Sequence, residues 1–427
     1  MTSGPGGAVR LAAGARTIAA VEAHFAGSIG TAGRFLDPNA AAIAGACRLM
    51  ADRFVRGGSL LVFGEGAQAS DAAHVAVEFV HPILVGKRAL PAIALTSDAA
   101  VLTAPAGATP DGSFVGPLTA LGAERDIALA MSAAGPSSAV RAALATAKRR
   151  GMLTLLLAGG PAPDRTLADV IFSVPEADPL VVQEVHETLY HVLWELVHVF
   201  LDDREGDLRS FLEDPPEVTT DRGGQLMAQV RDSTRQKCRD ICALRETVRV
   251  AHAAGIAEAA RAVAERIARR SRLLAFGNGG SATDAQDAAA DCMAPAIAGW
   301  RRIPALALTN DIGVVTAVAN DIGFDHVFSR QVIAFGRRDD IALGISTSGT
   351  SRSVVSALAE AKSRGLLTIA LTGYDGGALA GPGTVDFCFV AACDYVPRIQ
   401  EAHATIWHAL LAAAQTELAE ANSGGRR

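Results

Sequence analysis

Five hydroxyl side chains fall within six positions at Ser346-Thr347-Ser348-Gly349-Thr350-Ser351, between the apolar run Ile341 to Ile345 and a stretch that reads as helix to Arg364. At a junction of strand end and helix start, backbone N–H groups lack intrahelical partners and the helix dipole favours negative charge. Hydroxyls there add donors that carry no charge, which is the chemistry of a phosphate cradle. Ser and Thr also cap helices when no ligand is present, so the plain alternative is an N-cap. The equivalent stretch earlier in the chain, Ser132-Ala133-Ala134-Gly135-Pro136-Ser137, keeps only the two end hydroxyls, so phosphate binding there is expected to be weak or absent.

A second constellation surrounds Gly277-Asn278-Gly279-Gly280-Ser281, where the apolar run Leu273 to Phe276 breaks into a glycine turn and then an alanine-rich helix. The same strand, turn and helix occur 213 residues earlier, at Leu60 to Phe79. Gly277-x-Gly279-x-x-Ala282 and Gly64-x-Gly66-x-x-Ala69 both satisfy a loose dinucleotide fingerprint. The acidic residue expected roughly 20 positions on arrives far later, at Asp98 and Asp311, which argues against a nicotinamide or flavin site. The turn is better read as bringing Asn278 and Ser281 to the edge of a sugar-phosphate pocket. On the helix after the first turn, His74 and Glu78 are four residues apart and so share one face. That spacing suits a metal or a proton-transfer pair, although a lone histidine there would also serve as a core residue.

The elements that must position these groups recur in one order. Helices over 17–57, with Phe25, Ile29, Phe35, Ile43 and Leu49 on an apolar face, precede the strand Leu60 to Phe63, the glycine turn and its helix. Strands follow at Leu90 to Leu95, Asp126 to Met131, Leu153 to Leu157 and Val170 to Val174. An irregular stretch spans Thr103 to Gly116, and a long helix runs from Leu180 to Leu201. After a polar segment bearing Pro215-Pro216 the series repeats. Its members are a helical section Met227 to Arg270, strands at Leu273 to Phe276, Ile303 to Leu308, Ile341 to Ile345, Leu366 to Leu371 and Val385 to Val390, and a last helix from Pro397 to Ala421. Strands alternating with helices predict α/β domains, each a parallel sheet with helices on both faces. A repeat this long predicts two copies of one domain. The boundaries are 1–208, a linker at 209–223, and 224–427, with a disordered tail from Asn422.

The 427 residues carry a net charge of −6, and half are hydrophobic, which suits a globular chain of about two domains and argues against nucleic acid as partner. Arg266 to Arg272 reads as a solvated helix end. No run approaches the ~20 apolar residues of a membrane span, and arginines interrupt the apolar N-terminal stretch, so a cytoplasmic location is expected. The six cysteines are scattered without a CxxC pair; Cys238 and Cys242, one turn apart, read as ordinary thiols.

The motifs GNGGSATDAQ, Ala319-Asn320-Asp321, the serine loop, LTGYDGG at 371–377 and Arg398-Ile399-Gln400-Glu401-Ala402-His403 together resemble sugar-isomerase (SIS) domains. The likeness is to domains of the phosphoheptose isomerase type and of their non-enzymatic relative, the DnaA initiator-associating protein. It covers nearly all of the second half, and the first half shares the layout with fewer motifs. The resemblance implies two tandem flavodoxin-like domains, assembly into homo-oligomers with sites at interfaces, and conversion of sedoheptulose 7-phosphate to D-glycero-D-manno-heptose 7-phosphate, often with zinc.

Carried over by position, the resemblance implies Glu78 and His191 as catalytic groups and His74, Glu78, Gln183 and His191 as ligands of a divalent metal, zinc by analogy. It implies Asn278, Ser281, Asp321, Ser346, Thr347, Ser348, Ser351, Gln400 and His408 as substrate or phosphate contacts. The second half has Asp287 and Asp291 where the family has His and Glu, and the first half has Ala106-Gly107-Ala108 where the family has Ala-Asn-Asp. Leu180 and Pro397 replace an aspartate that precedes the family's glutamine. His186, His403, Trp194 and Trp407 read as packing residues. Eight residues of helix rise about 12 Å, so Gln183 and His191 share a small site only with help from another domain or subunit. The losses are complementary, and a composite site is expected: metal and base from the first half, phosphate and hydroxyl contacts from the second. The alternative is a sugar-phosphate-binding or DnaA-associating regulatory protein without chemistry.

Overall fold

In both halves the first strand is a five-residue apolar run that ends in glycine and leads through a short turn into a helix. The computed structural model describes residues 5–83, 86–103, 112–205 and 221–424. The first half contains α1 (Pro5–Val55), β1 (Leu60–Gly64), α2 (Gln68–Val80), β2 (Ala92–Ala94), α3 (Ala99–Thr103), α4 (Val115–Leu121), β3 (Ile127–Ser132), α5 (Ser138–Arg149), β4 (Leu153–Gly159), β5 (Val170–Val174) and α6 (Pro179–Glu205). The second contains α7 (Asp221–Ala268), β6 (Leu273–Gly277), α8 (Gly280–Met293), β7 (Ala305–Ala307), α9 (Ile312–Asp321), α10 (Ser329–Phe335), β8 (Ile341–Ser346), α11 (Arg352–Ser363), β9 (Leu367–Gly373), β10 (Phe387–Ala391) and α12 (Val396–Gly424).

The strands form two parallel five-stranded sheets, ordered β2-β1-β3-β4-β5 and β7-β6-β8-β9-β10. In both, the order reverses beside the first strand of the half, so a crevice opens at the carboxyl ends of β1 and β3 and again of β6 and β8. The central strands are buried along their whole length, which is why they read as unbroken apolar runs.

The chain forms two compact units. One comprises the N-terminal helix as far as Ile29 together with the chain from Ile241 onward; the other is Gly30–Asp240. In the first unit, one sheet face is covered by residues of α7, α8 and α12 with Val21 and Phe25 of α1. Val327, Val332, Val354 and Leu358 pack on the other face. In the second unit, Phe114, Leu118, Val140 and Leu144 cover one face of β1, β3 and β4. The expected helices on both faces are present.

Several expectations change. The expected helices of 17–57 are one helix, α1, which passes through Pro38 and ends at Val55, with the Asn39 amide donating to Phe35 O at 2.7 Å. Burial of Phe35, Leu36 and Ile43 on the same stretch outweighs the local preference to break. Leu49, placed on the apolar face, is exposed. The strands anticipated at Leu90 to Leu95 and Ile303 to Leu308 shrink to three residues, the three positions at which β2 pairs with β1 and β7 with β6. Arg266 and Arg272 are not simply solvated; they pair with Asp339 at 3.2 Å and Asp340 at 3.1 Å. The Ala106-Gly107-Ala108 triplet, residues 209–220 of the expected linker and residues 425–427 of the expected tail lie outside the described residues; 221–223 of that linker belong to α7, and 422–424 of that tail belong to α12. Among the described residues no helix is long and apolar enough to cross a membrane.

Candidate active site

At the β6/β8 crevice, Gly277 pairs with Ile345, so the glycine turn and the serine loop leave the sheet side by side. A Cβ on Gly277 would stand 2.3 Å from Ser281 O, which reserves the position for glycine and lets α8 begin immediately. Asn278 Nδ2 donates to Ser353 Oγ at 2.9 Å, tying the turn to the first turn of α11. Inside the loop, Ser346 Oγ donates to Ser351 Oγ at 3.0 Å, and Thr350 donates to Ser348 Oγ through its N–H (3.2 Å) and its hydroxyl (3.0 Å). Gly373 N donates to Thr347 O at 2.8 Å. Gly349 has φ +63, and a Cβ there would stand 2.1 Å from Gly376 O, so the LTGYDGG segment braces the loop from behind.

The helix after this loop has no side-chain cap: Ser351 occupies the N-cap position of α11 without accepting from a helix N–H. In the first half, by contrast, Ser137 caps α5 and accepts from Val140 N at 3.2 Å. The plain N-cap alternative therefore describes the first loop and fails for the second. Ser281 is buried at the start of α8 and Gln400 is buried on α12. Asp321 is not drawn into this cluster; it is exposed at the end of α9, where Asn320 Nδ2 donates to its carboxylate at 2.9 Å.

In the unit Gly30–Asp240, His74 and Glu78 on α2 face α6, and both are buried. His74 Nε2 lies 3.7 Å from Glu78 Oε1. His191 on α6 completes a group whose ligand atoms all lie within 4.8 Å of one another. The His74 and His191 rings meet edge to face, with centroids 5.2 Å apart. Glu78 Oε2 is buried and has no hydrogen-bond partner among the described residues. A buried carboxylate oxygen without a donor is costly unless a cation or proton meets it. Two imidazoles and a carboxylate this close are a donor set that fits zinc or a similar divalent ion. Gln183 is also buried, two turns before His191 on α6. Sequence reasoning missed Tyr190 and Asp71: the Tyr190 hydroxyl lies 3.1 Å from His74 Nδ1 and 3.5 Å from Asp71 Oδ1. The available signal was position, since Tyr190 and Trp407 each precede the histidine of the last helix of their half.

The model of the SIS domain matches twice, over residues 24–159 and 238–373. The chain belongs to the SIS-domain family. Among its relatives, the phosphoheptose isomerase of Geotalea daltonii is 44% identical over 155 residues, covering 36% of this chain and 80% of that protein. That of Geobacter metallireducens is 48% identical over 137 residues, covering 32% and 71%. The C-terminal domain of glucosamine-fructose-6-phosphate aminotransferase from Francisella tularensis shares the fold, with a TM-score of 0.56 at 9% identity over 91% of this chain and 95% of that one.

The second SIS domain differs from the first where the His74 cluster stands. Asp287 is half-buried, and buried Asp291 accepts from Trp407 Nε1 at 3.1 Å, with His408 Nε2 3.5 Å away. Trp407, expected only to pack, thus also donates a hydrogen bond. The ring of His24, which no motif singles out, lies edge to face with His408 at 6.0 Å. His186 and His403 are buried as anticipated. Burial pushes the His186 imidazole down to about 4, with the Ala158 backbone pulling slightly the other way. Burial also lowers His403, offset in part by its Nε2 donating to Thr372 O at 2.9 Å and by the charge of Asp284.

Proposed function

We propose that this protein is an aldose-ketose isomerase of a phosphorylated sugar, converting sedoheptulose 7-phosphate to D-glycero-D-manno-heptose 7-phosphate. The observation that carries this reading is the buried group of His74, Glu78 and His191, with Glu78 Oε2 left without a partner. The uncapped serine loop of the second SIS domain supports the phosphate half of the reading, and the phosphoheptose isomerase relatives support the choice of sugar.

In this mechanism Glu78 takes the proton from C1 of the open-chain ketose and returns it to C2 through an enediol, while His191 carries the proton exchanged between the two oxygens. Ser346, Thr347, Ser348 and Ser351, with Asn278 and Ser281, hold the phosphate and hydroxyls so that carbon and base stay aligned. Gln400 and His408 add substrate contacts. His74, Glu78, Gln183 and His191 would hold a divalent ion, which supplies polarisation of the substrate oxygens. The reading divides the machinery between the two halves, so Glu78→Gln and Ser348→Ala should each lower turnover, the first by two or more orders of magnitude, as expected for loss of a general base (~10²–10⁴-fold). Assembly into homodimers belongs to the same proposal.

The test is to incubate the metal-replete protein with sedoheptulose 7-phosphate and follow the aldose by NMR. No product from this ketose or from shorter ketose phosphates would sink the enzyme reading. One observation favours a second reading, a sugar-phosphate-binding protein without chemistry: Asp287 and Asp291 stand in the second SIS domain where His and Glu stand in the first. Phosphate-dependent binding without turnover would select it.

A further inference from the structure

We propose that Tyr190 is a positioning residue for His74, fixing which ring nitrogen carries the proton and holding Nε2 open toward Glu78. Three groups from two helices meet in this buried space: Asp71 and His74 on α2 and Tyr190 on α6, each no more than 1% exposed. The tyrosine hydroxyl lies 3.1 Å from His74 Nδ1 and 3.5 Å from Asp71 Oδ1. A phenol has one proton to give, and an ionised carboxylate can only accept. The assignment that satisfies both contacts sends the Tyr190 O–H to Asp71, so that the Tyr190 oxygen accepts from Nδ1–H of His74. In the neutral imidazole that leaves the lone pair on Nε2, the nitrogen that faces Glu78 Oε1 at 3.7 Å. A histidine meant to bind a metal needs this tautomer, and a partner on the other nitrogen is what normally enforces it.

The same position acts across the same gap in the second SIS domain. Trp407, immediately before His408, donates its indole N–H to Asp291 on α8 at 3.1 Å. In each half the residue before the last-helix histidine reaches the helix after the glycine turn. In the first it orients a ligand, and in the second it occupies the carboxylate itself.

The value of the tautomer to a metal rests on the metal reading above, but the tautomer is measured without metal. Histidines of the full metal-free chain are labelled with ¹⁵N, and the His74 signals are assigned by their loss in His74→Gln. The expected result is a protonated Nδ1 and a bare Nε2 in the native chain. In Tyr190→Phe, which keeps the ring beside His74 and His191, the two tautomers should mix and zinc affinity measured by calorimetry should fall 10- to 100-fold. An unchanged His74 tautomer in Tyr190→Phe overturns the positioning role, whatever zinc does. A native chain with the expected tautomer, lost in Tyr190→Phe, but with no affinity for zinc would sustain the positioning role and overturn the metal reading instead.

Discussion

His186 is fully buried on α6, and its imidazole is held down to about 4 by the cost of placing a charge there. The unfolded chain binds that proton near pH 6.5. Between the two values the unfolded state carries a proton that the native state does not, so stability is complete above pH 6.5 and falls as pH drops toward 4, by up to ~3 kcal/mol for this one residue. His403, shifted the same way, steepens the trend. Unfolding midpoints of the metal-free protein should therefore decline through this window, and His186→Leu should flatten the decline relative to the native chain; parallel pH profiles would refute the assignment. At this scale the sequence spoke unevenly. His74 and Glu78 are legible through the family resemblance, and one turn of helix fixes their common face. Tyr190 and Asp71 do not, because their meeting depends on how α6 packs against α2, which no local spacing encodes. Asp321 fails for the same reason in reverse, since an attractive residue type stands at an exposed helix end.

Two loops of common origin divide at the scale of the element. Ser137 caps α5 through Val140 N, whereas Ser351 leaves α11 uncapped and accepts instead from Ser346. Replacing a capping serine by alanine costs about 1 kcal/mol, so Ser137→Ala should lower stability by that amount and leave phosphate affinity unchanged. Ser351→Ala should do the opposite: little change in unfolding midpoint and several-fold weaker phosphate binding by calorimetry. Equal loss of stability in both variants would return the second loop to the status of an ordinary cap. The hydroxyl pattern made the second loop legible, and the buried strands before it were legible as apolar runs. The short helices α3, α4, α9 and α10 were not, because each lies between an edge strand and the next core strand, where brief pieces carry glycine, proline or polar residues and offer no sustained period. The continuity of α1 through Pro38 was hidden for a related reason: burial outweighed a local breaker.

Two sheets with one strand order have kept the scaffold of a duplicated domain while their sites diverged. The shared order was predictable from the repeated alternation of strand and helix; the assignment of the first 29 residues to the same unit as the chain after Ile241 was not, because Val21 and Phe25 look like any apolar helix face until their partners are known. Divergence has a countable consequence for the whole chain. The first SIS domain offers two imidazoles and a carboxylate with an unpartnered oxygen, a set suited to a divalent ion. In the second, the aspartates are one methylene shorter than glutamate, and Asp291 already accepts an indole N–H and faces His408. An ion there would have to displace that hydrogen bond, losing about 1.5–3 kcal/mol for a bond to a charged group, although the imidazole of His24 stands beside that of His408. We therefore expect one zinc per chain and not two. Elemental analysis of the zinc-loaded, desalted protein should give a ratio near one, which falls toward zero in Glu78→Gln and is unchanged in Asp291→Asn. A ratio near two, or loss of zinc from Asp291→Asn with retention in Glu78→Gln, would place a metal in the second SIS domain.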